Sequence, residues 1–82
     1  MKIYKVYLDL SLVISSLTKF RLHEYNSAFP IIFVEANDPD EACFIATSGL
    51  MKTVLNQDSS IETRIFCREI RHDIKVLRAI CQ

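Results

Sequence analysis

The stretch Asn37-Asp38-Pro39-Asp40-Glu41 decides the fold class, because residue type, order and spacing there all specify the start of a helix. Asp38 can accept from the unpaired amides of a first helical turn, and Pro39 suits the first helical position. Glu41 closes a capping-box-like pair while facing the positive end of the helix dipole. The three acids thus have a structural task. Their other reading, as a metal site or a carboxylate pair, is the lesser one.

Downstream, the pattern predicts a helix over residues 39–56. At helical spacing, Ala42, Cys43, Ala46, Leu50 and Val54 make an apolar stripe that Phe44, Met51 and Leu55 widen on one side. Ile45 falls outside it, among Ser48, Lys52 and Asn56. Gly49, the only glycine, lies inside the pattern and costs about 1 kcal/mol relative to alanine. Close approach of another backbone would account for it, as would a tolerated local kink. The stripe is broader than one small sheet requires. This points to a protein contact, with a homodimer as one form of it, through Phe44, Ile45, Gly49, Met51 and Leu55.

Upstream, Pro30 and the β-branched run Ile31-Ile32-Phe33-Val34 read as a strand that feeds directly into the helix. Nearer the N-terminus, Tyr4, Val6, Leu8, Leu10, Leu12 and Ile14 alternate with mostly polar residues, the mark of a long strand with one buried face. A helix from Asp9 using Leu10, Val13, Ile14 and Leu17 competes with the far end of that strand. Residues 18–25 suit a returning strand with Phe20 and Leu22 on one face and Lys19, Arg21 and His23 on the other. Asn26-Ser27 supplies the turn after it.

Beyond the polar break Gln57-Asp58-Ser59-Ser60, the alternation of Ile61, Thr63, Ile65 and Cys67 with charged residues, followed by Ile74, Val76 and Ile80, predicts a C-terminal β-hairpin. Arg71-His72 is poor chemistry for a two-residue turn, so a longer loop through Asp73 stays open. Neither hairpin register sets Cys67 opposite Cys81. The expected fold is therefore α+β: one domain over residues 1–82, an antiparallel sheet of four to five strands, one main helix on one face, and a C-terminal hairpin.

Ten basic and ten acidic residues cancel, which excludes a global field that would recruit nucleic acid or an anionic membrane. Half of the 82 residues are apolar, enough for one core. The cysteines Cys43, Cys67 and Cys81 are odd in number and form no C-x-x-C pair, which suits reduced thiols and a cytoplasmic location. Asp9 interrupts what would otherwise resemble a secretory signal, and no apolar run is long enough to span a bilayer.

Few residues could carry chemistry. With one glycine the chain can hold no P-loop, dinucleotide fingerprint or nucleophile elbow. Cys43 lies on the apolar stripe, where an inert thiol is expected. Cys67 and His72 lack two further ligands at zinc spacing. Neither an enzyme nor a metal or other cofactor is therefore expected. Arg64, Arg68, Arg71, Lys75 and Arg78 are half of the basic residues, and with Phe66 on the same strand face they could contact phosphates and stack a base. Glu62, Glu69 and Asp73 interleave with that row and weaken its field. The expected function is a non-enzymatic protein-interaction module that occupies a partner's surface, of the adaptor or inhibitor type common in phages and other mobile elements. The alternative is a small nucleic-acid-binding protein using the basic hairpin.

Overall fold

The computed structural model describes residues 1–22, 25 and 27–82. Three strands, β1 (Lys2–Asp9), β2 (Ile31–Ala36) and β3 (Lys75–Cys81), form one antiparallel sheet in the order β2-β1-β3. The helices are a single turn α1 (Ile14–Leu17), the long α2 (Pro39–Gln57) and α3 (Ile61–Ile70), which runs into a 3-10 turn at Arg71–Asp73. The fold is α+β as expected, with three strands among the described residues rather than four to five.

α2 starts where the sequence places it. The Asp38 carboxylate accepts from the Glu41 amide at 2.8 Å, with Pro39 in the first turn. Ala42, Ala46, Leu50 and Val54 are buried along its length and pack on the sheet face formed by Tyr4, Val6 and Leu8. All of them belong to one contiguous core. α2 crosses β2, β1 and β3 on that one face, and α3 packs against α2. The face bearing Lys5 and Tyr7 has no helix over it among the described residues.

Three expected strands are corrected. The first ends at Asp9, whose carboxylate accepts from the Ser11 amide at 2.9 Å and turns the chain. Leu10, Val13 and Leu17 then bury themselves at helical spacing, but the helix read from Asp9 is reduced to the single turn Ile14–Leu17 after a turn at residues 11–13, and Leu12 is left exposed. Residues 18–22 and 25 are not a strand either. Leu22 and Tyr25 are buried, and the Tyr25 amide donates to the Leu22 carbonyl. The other residues of that reading, His23 and Asn26 with Glu24, lie outside the described residues.

The largest correction is at the C-terminus, where the hairpin does not form. Residues 61–70 are helix α3. Their alternation competed with a helical set, Thr63, Phe66, Cys67 and Ile70, and that set is the one that faces inward. Ile61 and Ile65, the residues that suggested a strand, are exposed. The N-terminal chemistry favours the helix. Ser60 accepts from the Thr63 amide, while Asp58 accepts from the Ser60 amide at 3.0 Å and the Thr63 hydroxyl at 2.8 Å. β3 therefore pairs with β1 instead of with a hairpin partner, and a bulge between Tyr7 and Leu8 shifts its register.

Candidate functional site

Packing α3 beside α2 opens a groove of about 420 Å³ between them. Met51 and Leu55 of α2 and Cys67 of α3 supply its apolar surface; Lys52, Arg68 and Arg71 supply three cations. Thr47, Ser48 and Asn56 complete the lining, and among the described residues no carboxylate is part of it. The Thr47 hydroxyl is already committed, donating to carbonyls of its own helix at Cys43 and Phe44. In a chain whose formal charge is zero, this is a local concentration of positive charge around an apolar floor. Burial raises the pKa of the Cys67 thiol, which keeps it protonated at neutral pH and makes it packing surface rather than a nucleophile. Cys43 is shifted the same way, by burial and then by the nearby Asp40 charge.

The structure divides the expected protein-contact set. Met51 and Leu55 lie in the groove, half-buried against the core. Phe44 is 60% exposed and stands apart. Ile45 is not isolated, as its position outside the stripe suggested, but packs against the core. With Gly49 it borders a second hollow of about 290 Å³ between α2 and β2. Among the described residues a Cβ on Gly49 would meet only the Tyr25 hydroxyl at 3.9 Å, an ordinary contact, so no backbone approach among them explains the glycine.

The expected basic face is also divided, because it rested on the hairpin. Arg64, Arg68 and Arg71 lie on α3 and the turn after it, whereas Lys75 and Arg78 lie on β3. Phe66 is half-buried and stacked on Phe20 with ring centroids 6.0 Å apart, and Lys19 stands 5.0 Å from its centroid. Arg78 instead covers the ring of Tyr7 at 4.3 Å, with Lys5 at 5.4 Å. Lys5, hydrogen-bonded to it, lowers the phenol's pKa, and Arg78 adds to the effect.

Lys52 is the groove residue the sequence hid. Its place beside Arg68 and Arg71 exists only once residues 61–70 are helical, and no spacing within α2 announces it. Among the described residues no group of three or more His, Cys, Asp or Glu side chains could hold a metal ion, and no helix is long and apolar enough to cross a membrane. Cys43, Cys67 and Cys81 are all free. Comparison with protein families, with characterised proteins and with solved structures finds no match.

Proposed function

We propose that the chain is a non-enzymatic protein-interaction module that holds an acidic, amphipathic segment of a partner protein in the groove between α2 and α3. The observation that carries this reading is the lining itself: Lys52, Arg68 and Arg71 around Met51, Leu55 and Cys67, with no carboxylate among the described lining residues. An apolar floor between cationic walls suits a helix with one apolar and one acidic face. The floor would supply most of the affinity, while the cations would set approach rate and orientation. By occupying that segment the chain would act as an adaptor or an inhibitor. Three free thiols support a cytoplasmic setting.

The same cations would also suit phosphates, but Phe66 is engaged with Phe20 and the β3 cations face elsewhere, which favours the protein reading over the nucleic-acid one. Immobilised chain and its Arg68→Glu/Arg71→Glu variant, exposed to native lysate with and without nuclease, test the choice. The expected outcome is a defined protein retained after nuclease treatment, lost in the variant, and displaced by an acidic amphipathic peptide. Retention that disappears with nuclease would transfer the groove to nucleic acid. Equal retention by the variant would reject it as the site.

A further inference from the structure

The two edges of the sheet are built differently. β3 carries a bulge and the cations Lys75 and Arg78, both of which discourage pairing with another strand. β2 has neither. Its six residues, Ile31 to Ala36, pair without irregularity along β1, and Glu35 is its only charge.

The direction of its backbone groups follows from the ladder. Leu8 donates its amide to the Pro30 carbonyl at 3.0 Å, which makes that position a bonded one. Bonded and non-bonded pairs alternate along antiparallel strands. In the observed register Ile32, Val34 and Ala36 are then bonded to β1, while Ile31, Phe33 and Glu35 direct their N–H and C=O groups to the outer edge, which no strand among the described residues covers. The three residues are spaced symmetrically about Phe33.

We propose that this edge pairs antiparallel with β2 of a second copy about a two-fold axis at Phe33, joining two sheets into one of six strands. In that register Phe33 faces its own copy and Ile31 faces Glu35, so each of the three outward positions exchanges two ladder hydrogen bonds. On the inner face Ile32 meets Val34, both only half-buried in the single chain. The charges do not conflict. The two copies of Glu35 lie at opposite ends of the ladder, four residues or about 14 Å apart. The strand thus complements itself in donors, acceptors and the apolar pairs Phe33–Phe33 and Ile32–Val34, with its carboxylates held apart, and that self-match about Phe33 points to a second copy as its occupant. This contact is separate from the groove between α2 and α3.

Light scattering on the whole chain at about 200 µM should give a mass approaching twice the single-chain value, since pairing follows mass action. The single-chain mass is 9.5 kDa. Amide exchange at Ile31, Phe33 and Glu35 should slow as concentration rises. Phe33 is 61% exposed, so Phe33→Lys and Phe33→Glu should fold, as circular dichroism would verify. Each alone should be monomeric because like charges then meet on the axis, and an equimolar mixture should recover the dimer. A single-chain mass for the unmodified protein overturns the proposal, as does a dimer that survives both substitutions. So would a monomer whose edge takes up an unrelated strand peptide, since the occupant would then be foreign.

Discussion

At Gly49 the sequence raises a question that the neighbouring atoms answer. The residue has no positive φ, and among the described residues an added Cβ meets nothing closer than 3.9 Å. Alanine should therefore gain the helix propensity that glycine forgoes, without steric opposition. Gly49→Ala is expected to stabilise the fold by up to about 1 kcal/mol, read as a higher urea midpoint at unchanged slope. A loss of stability would show that the helix needs a residue without a side chain at this position. Single residues were most legible where the chemistry is local. Asp38, Pro39 and Glu41 announce their roles because capping acts within four residues, whereas the exposure of Ile45 or Lys52 depends on elements distant in sequence.

Among the elements, α3 shows why the alternating pattern misled. Ile61, Thr63 and Ile65 favour a strand by composition, and a period of two shares several positions with a helical period over so short a run. The deciding chemistry lies at Asp58-Ser59-Ser60, which reads in sequence only as a polar break but in the structure ends α2 and caps α3. The Asp58 carboxylate that organises this junction has its pKa lowered, first by the Ser60 amide and then by the Thr63 hydroxyl. The sign follows directly. A carboxyl whose folded pKa lies below its unfolded value stabilises the fold above the unfolded pKa, near 3.9, and loses that contribution as pH falls through the folded one. Thermal midpoints of the unmodified protein should then drop on acidification below about pH 4. Those of Asp58→Asn should start lower at neutral pH and converge with them in acid. Parallel curves across the whole range would remove Asp58 from the account.

At the scale of the whole molecule, one core joins all three strands to α2, and Val6 and Leu50 at its centre are wholly buried. Leu50→Ala should cost about 2 to 5 kcal/mol, a large share of the roughly 5 to 15 kcal/mol that holds a domain folded. Phe44→Ala on the same helix should change stability by less than about 0.5 kcal/mol, because its ring is exposed. Urea titrations of the two variants check the contrast, and comparable losses would mean that Phe44 is covered in solution. The α+β class and the main helix were readable from patterning, and strand number was not. Pairing joins β1 to β3 across nearly the full chain, and the alternation along a strand records which face is buried without naming the neighbour.

That pairing also has a mechanical meaning. β1 and β3 are antiparallel, and the Gln82 amide bonds to the Ile3 carbonyl at 2.8 Å, so the beginning of one strand and the finish of the other lie side by side. A load applied at those two points would pull across the ladder and meet its hydrogen bonds one at a time, like a zipper, rather than shearing them together. The sheet would thus yield to tension from its outermost pair inward.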